Sequence, residues 1–217
     1  MRDSRFRRVR ARIQALPLAA GLVGWSFLSP RLPAVWRVVL QAGVGGLLVL
    51  VTGAPLGLRP PRLWVGLRLG SAAAVAAAIA IAATTSVPVV RLSMYERELP
   101  ASVPGWLVLR IPLGTVWAEE AAFRAALATV GSGAFGKSGG RLLQAAAFGL
   151  SHIADARATG EPVLATVLVT GIGGWLFGWL ADRSGSLAAP LLVHLGINEA
   201  GAVAALAVQR FKRSWKG

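Results

Sequence analysis

Three short patterns hold the residues that could do chemistry. The first is Trp117-Ala118-Glu119-Glu120-Ala121-Ala122-Phe123-Arg124, inside an otherwise apolar run from Trp106 to Val130. A charged side chain at the centre of a membrane helix costs roughly 2.5–3.5 kcal/mol on insertion scales, so such residues point to function. Glu120 and Arg124 are four apart with the acid N-terminal, the better order for an ion pair on one helix face. Glu119 is turned about 100° away at 3.6 residues per turn. One acid can be neutralised within its own helix while the other faces elsewhere. The second pattern is Phe148-x-x-x-His152, with Gln144 four residues earlier on the same face. The third is His194-x-x-x-Asn198. These are the only two histidines, and cysteine is absent, so thiol nucleophiles, disulfides and thiolate-bound metals are excluded. The chemistry this set supports is water activation. A carboxylate withdrawn from water holds a proton more tightly and can act as a general base, and a histidine can share that proton. The second histidine and the carboxamide can donate hydrogen bonds to a developing oxyanion. Hydrolysis of an amide inside a membrane cavity follows from these roles.

The elements that must position these groups are membrane helices. The chain has 217 residues, of which 55% are hydrophobic, and a mean hydropathy of +0.61. A soluble chain of this size cannot hide several long Ala/Val/Leu/Gly runs. The runs are continuous rather than alternating, which argues against a β-barrel. The expected fold is therefore all-α: a polytopic transmembrane helix bundle of about seven spans with a polar intramembrane cavity. The formal net charge is +14, but the basic residues cluster in residues 1–14, between apolar runs and at the C-terminus. That pattern sets topology and meets anionic headgroups, and no nucleic-acid motif accompanies it. Membrane lipids are the expected partners, and nucleic acid is not.

Taken in order, residues 1–105 form a basic N-terminal tail and leading transmembrane helices. Ala15 to Leu28 is short for a span and contains Pro17. It lacks a small-x-small cleavage site, so removal is not expected. Val38 to Leu58 is the first convincing span, with Gly43, Gly45 and Gly46 for close helix approach, and Leu69 to Val90 is an Ala-rich one. Residues 106–209 form the core: Trp106 to Val130, a Gly/Ser loop from Gly131 to Gly140, a shorter helix from Arg141 to about Ala156, Val163 to Leu180 with a Gly171/Gly174/Gly178 packing face, and Leu187 to Val208. Residues 210–217 are a basic tail. Seven spans with the basic N-terminus cytoplasmic put the loops at 59–68, 132–141 and 181–186 inside, and leave the C-terminal tail outside. Glu119 and His152 then stand about 12 and 11 residues from the 132–141 loop, and His194 about 8 from the 181–186 loop. At 1.5 Å per residue all three lie roughly 12–18 Å below one surface.

Glu119-Glu120-x-x-x-Arg124, Phe148-x-x-x-His152 and His194-x-x-x-Asn198, in this order on successive helices, resemble the three motifs of the CPBP family. This is the Abi or type II CAAX prenyl protease group of intramembrane endopeptidases, and the likeness covers about Trp106 to Val208. It implies a helix bundle with a cavity open to the cytosol. It also implies water activation by Glu119 and His152, an oxyanion site of His194 and Asn198, and supporting roles for Glu120 and Arg124. Phe148 reads as packing around the site. The substrate would be a peptide or protein, with lipidated ones among the family's. The family is often labelled metalloprotease, and Glu119, His152 and His194 match a known catalytic zinc set. Yet there is no His-Glu-x-x-His, and the reading leans to a metal-free glutamate mechanism, with zinc as the alternative. Two other functions remain: a non-enzymatic immunity or scaffold protein that keeps the fold, and a small proton-coupled transporter, since Glu/His sets serve there too. The Arg/Ala/Gly/Val-rich composition suggests a bacterial plasma membrane protein.

Overall fold

The computed structural model describes residues 2–215, with side chains described for 12–33 and 36–210. The Arg2 to Arg10 side chains and the basic residues beyond Arg210 lie outside that set. All regular structure among the described residues is helical. Helix α1 spans Arg2–Leu28 and carries Pro17 inside it. The basic tail and the short apolar stretch after it are thus one helix. Its segment Arg12–Arg31 is long and apolar enough to cross a membrane.

Helix α2 spans Ala34–Thr52 and stops at Gly53 in the left-handed conformation, so the expected span to Leu58 is cut short. Pro55 and Gly57 follow and keep the chain from re-entering a helix. Helix α3, Arg62–Thr84, begins inside what the sequence suggested was a basic loop. Three further segments, Arg62–Thr84, Val163–Ser184 and Ala188–Arg210, also qualify as spans by length and composition, and Trp36–Thr52 is a shorter apolar helix. Helix α4, Pro88–Glu96, lies within the polar connection.

Helix α5 starts with the turn Val103–Gly105 and continues through two wide, π-type segments, Trp106–Trp117 and Glu120–Leu127. Pro112 sits in the first. Proline has no N–H to donate and its ring crowds the preceding carbonyl, so the ordinary helical ladder cannot pass through it undisturbed. π-type turns gather at functional sites, and here Glu119 lies between the two segments and Glu120 begins the second.

The largest departure from the sequence reading is the Gly131 to Gly140 stretch. It is not a loop. Helix α6, Ala128–Ser151, runs through it with one non-helical residue, Gly136 at φ 77°, ψ 169°. That conformation is open to glycine and strained for other residues. The chain doubles back there, and the two limbs touch: a Cβ on Gly140 would lie 2.4 Å from the Ser132 nitrogen. The glycines permit a tight helical hairpin. Helices α7 (Ile153–Thr159), α8 (Val163–Ser184) and α9 (Ala188–Trp215) complete the chain.

Side-chain contacts sort the turns into two ends. At one end Arg12 lies over the Phe135 ring, Arg141 and Lys137 pair with Asp182, and the Leu187 amide donates to the Leu56 carbonyl. At the other, Gln209 donates to the Met94 and Arg97 carbonyls. The start of α1 and the end of α9 are therefore at opposite ends, as an odd number of passes requires. α1, α2, α3, α5, the second limb of α6, α8 and α9 make the passes.

Polarity runs opposite to that of a soluble protein. Leu50, Val51, Leu164, Val169 and Ile79 are exposed, while Glu120, Arg124, Gln144 and His194 are buried. Apolar surface of this extent is stable against lipid and not against water.

Candidate active site

Glu119 and Glu120 are neighbours in sequence with different surroundings. Glu120 is fully buried. Its Oε1 accepts from His194 Nδ1 at 2.8 Å and lies 3.3 Å from Arg124 Nη1. The Arg124 guanidinium stands 3.8 Å from the Phe148 ring centroid and 5.0 Å from that of Phe177. Cation–π contacts of this kind are worth about 2 kcal/mol or more when water is excluded. Phe148 thus does more than fill space: it seats the arginine, and its ring edge also meets His152 at 4.6 Å.

Glu119 keeps a side-chain exposure of 29%, and its Oε2 lies 3.8 Å from His194 Nε2. With Nδ1–H given to Glu120, His194 presents its Nε2 edge to Glu119. One imidazole therefore links the two carboxylates. The reach across 74 residues that makes this link is set by the packing of α9 against α5.

His152 caps the end of α6 at φ −87°, ψ 0°, a sparsely used backbone region. Its Nδ1 bonds the Phe148 carbonyl at 2.8 Å, which makes Nδ1 the protonated nitrogen and leaves Nε2 as the free one. Glu119 and His152 line the same cavity of about 180 Å³, together with Ser26, Arg37, Gln41, Arg110, Thr115 and Asp155 on its polar side. That is well above the roughly 10–15 Å³ one water needs. Gly45 forms part of the wall where α2 passes α5; a Cβ there would lie 3.0 Å from the Ala118 carbonyl. The Trp117 indole N–H locks the same crossing onto the Ala42 carbonyl. Gly43 and Gly46, expected to share this task, face open space.

His194 and Asn198 do not line the cavity. The Asn198 amide donates to the His194 carbonyl of its own helix at 3.0 Å. Gln144, fully buried, donates to the Gly174 carbonyl at 2.9 Å and ties α6 to α8. Among the described residues no group of three His, Asp or Glu side chains is placed to hold a metal ion. His152 and His194 each give Nδ1–H to a protein acceptor, which leaves Nε2 open on both rings.

Residues 101–200 match the family described as type II CAAX prenyl endopeptidase Rce1-like. The match runs from the start of α5 into α9 and includes Glu119, Glu120, Arg124, Phe148, His152, His194 and Asn198. It bears out the resemblance read from the three motifs. Neither the curated proteins nor the solved structures contain a match to the chain. The Rce1-like match supports a CAAX prenyl endopeptidase-like protease with a peptide or protein substrate. With its exposed apolar helices, the chain is an integral membrane protein.

Sequence reasoning missed Arg37, Gln41 and Asp155 as cavity residues. Arg110 was visible as a charge near the start of an apolar run. Arg37 and Asp155 lie in the first turns of their helices, where polar residues are ordinary, and Gln41 is a single neutral side chain inside α2; nothing in their spacing sets them apart.

The cavity reaches the surface through Pro30, Arg110 and Asp155, at the end opposite the start of α1. A cytoplasmic N-terminus and a cavity open to the cytosol are therefore mutually exclusive for this fold.

Proposed function

We propose that the protein is an intramembrane endopeptidase of CAAX-processing type, in which Glu119 and His152 activate a water held between them. The observation that carries the reading is that these two groups, 33 residues apart in sequence, line one cavity large enough for water inside an otherwise apolar bundle. Glu119 takes a proton from the water as the oxygen attacks the scissile carbonyl carbon. The free Nε2 of His152 shares that proton and passes it to the departing amine nitrogen as the C–N bond breaks. A new carboxylate and a free amine leave. Positioned acid–base groups of this kind contribute about 10²–10⁴-fold.

In this proposal His194 is a positioning residue: Glu120 fixes its ring through Nδ1, and its Nε2 edge stands 3.8 Å from the Glu119 carboxylate. Glu120 and Arg124 support that arrangement. The Asn198 amide gives one of its two N–H donors to the His194 carbonyl and keeps the second for an oxyanion. Prenylated peptides are the proposed substrates, following the family description.

The test is cleavage of a fluorogenic prenylated-peptide panel in detergent by wild type and Glu119→Gln, each with and without a strong chelator. The expected result is wild-type cleavage that survives chelation and disappears in the variant. Loss on chelation with recovery on adding zinc would put a metal in the reaction. Wild-type protein that cleaves no peptide while staying folded would favour a non-enzymatic immunity or scaffold role. A reporter fused at the Lys137 turn, read from both sides of the membrane, decides which end faces the cytosol.

A further inference from the structure

The end of the bundle at the Gly136 turn, far from the cavity mouth, is strongly basic. Among the described residues Arg12, Arg59, Arg62, Lys137, Arg141 and Arg183 gather there, and Asp182 is the one acid. That acid is already engaged: its two oxygens stand 3.1 Å from Arg141 Nη2 and 3.7 Å from Lys137 Nζ. Arg183, next to it in the chain, is exposed and forms no ion pair among the described residues. At the opposite end Glu96, Glu98, Asp155 and Glu161 stand among the arginines, so the charge is closer to balance.

Helix α8 gives this charge a defined setting. Leu168, Ile172, Trp175, Trp179 and Arg183 recur at intervals of three and four, so they share one face. The four apolar ones are exposed, Trp175 at 43% and Trp179 at 44%. The stripe runs from hydrocarbon depth, through two indoles, to a cation one turn beyond Trp179. Tryptophan favours that level, with its ring among acyl chains and its N–H among headgroups. The Trp117 indole N–H is taken by the Ala42 carbonyl, whereas no acceptor among the described residues takes those of Trp175 and Trp179. Beside the stripe, the Arg141 stem crosses α8 at Gly178, where a Cβ would lie 3.0 Å from its Cγ. Its guanidinium stands 5.3 Å from the Trp175 ring centroid, and its Nε is buried with no hydrogen-bond partner.

We propose that Trp175, Trp179 and Arg183 on α8, with Lys137 and Arg141 on the second limb of α6, bind one anionic phospholipid. The phosphate sits between Lys137 and Arg183, the glycerol esters lie level with Trp179, and an acyl chain follows Ile172 and Leu168. Three cations against one carboxylate leave a surplus of positive charge. A headgroup of net negative charge is therefore favoured over a zwitterionic one, whose ammonium meets the same cations. The lipid joins α6 to α8 on the outside, where Gln144 and the Gly174 carbonyl join them within. That pair carries Phe148 and ends at His152, yet the lipid site stands independently of the endopeptidase reading.

The test is native mass spectrometry of the full chain in uncharged detergent, titrated with dioleoyl phosphatidylglycerol, dioleoyl phosphatidylcholine or inorganic phosphate. Phosphatidylglycerol is expected to fill one site about ten- to thirtyfold more tightly than phosphatidylcholine, the scale for two cations near a headgroup. Lys137→Gln with Arg183→Gln is expected to remove that preference. Arg59→Gln, at the same end but off the stripe, is expected to leave it unchanged. Arg141 is kept, because it also ties α6 to α8. Trp179→Leu retains every charge and is expected to weaken phosphatidylglycerol binding, which keeps the test readable if the double variant does not fold. Equal binding of the two phospholipids overturns the proposal. An effect of Arg59→Gln as large as that of the double variant also overturns it, since the surface is then diffusely basic and holds no site. If inorganic phosphate displaces phosphatidylglycerol and depends on the same two cations, the residues serve a free anion and the proposal fails.

Discussion

Glu119 and Glu120 differ by one position in the chain and by everything around them. Glu120 sits in a sealed layer with Arg124, His194, Phe148 and Phe177, with no exposure. Glu119 opens onto a cavity with Arg37, Arg110, His152 and polar hydroxyls. The sealed layer balances charge where water cannot: a carboxylate paired with a guanidinium, the guanidinium seated on rings. The cavity leaves its charges available to a ligand. The layer meets the cavity at two places, His194 Nε2 beside Glu119 Oε2 at 3.8 Å and the Phe148 ring against that of His152. Stability and chemistry are thus assigned to adjacent residues and joined through the two imidazoles.

That division can be broken by paired substitutions. The largest effect is expected from Glu119→Gln, with peptide cleavage down about 10²–10⁴-fold and thermal unfolding in detergent nearly unchanged. Glu120→Gln should reverse the pattern, with a lower unfolding temperature, since Arg124 is left without its buried counter-charge. Equal loss of stability in both variants would show that the two carboxylates share one environment.

Next in size is Arg124→Met. Removing one partner of a buried ion pair costs about 3–5 kcal/mol, and the double variant Arg124→Met with Glu120→Gln should recover part of it. Denaturant titration of the three proteins gives the coupling. If the double variant is no better than the single one, the pair does not neutralise itself.

A smaller effect on stability is expected from His194→Gln, about 1–3 kcal/mol for unsatisfied buried groups. Its cleavage should fall with it, because Glu119 loses its support. A kcat loss larger than that of Glu119→Gln would instead make His194 a group that touches substrate. Gly45→Ala gives the smallest effect. The added methyl meets the Ala118 carbonyl at 3.0 Å, and overpacking of this kind costs about 1–3 kcal/mol. It should shift KM by moving the cavity wall.

Much of this was legible in the residues. Period and hydropathy called for a helical membrane bundle, and the Glu120–Arg124 pair followed from a spacing of four. The His194–Asn198 spacing also led to a contact, but within the helix itself. The Gly131 to Gly140 stretch misled, because glycine and serine mark loops and helix crossings alike. Only the partner limb, reached through Gly136, tells them apart. The depth estimate suffered from the same cause. Glu119 lies about 17 residues, roughly 25 Å at ordinary helical rise, from a turn that sits at Gly136 and not at 132. The oxyanion pair was expected from the donor groups of His194 and Asn198 and from the family motif; the contact of His194 Nδ1 with Glu120 Oε1 was not legible in the spacing.

The sequence by itself determined that acids, an arginine and two histidines would be buried among apolar helices, since an unpaired charge in such a run demands a reason to be there. It determined which acid would be neutralised locally, because that pairing lies within one helix and needs only a repeat of 3.6 residues per turn. Only the tertiary structure decided that His194 joins Glu119 to Glu120, that His152 shares a cavity with Glu119, and that Arg37 and Arg110 face them. Those relations depend on the crossings of α2, α5, α6 and α9, where a glycine, a kink or a shift of one turn moves a side chain by several ångströms and leaves the local pattern unchanged.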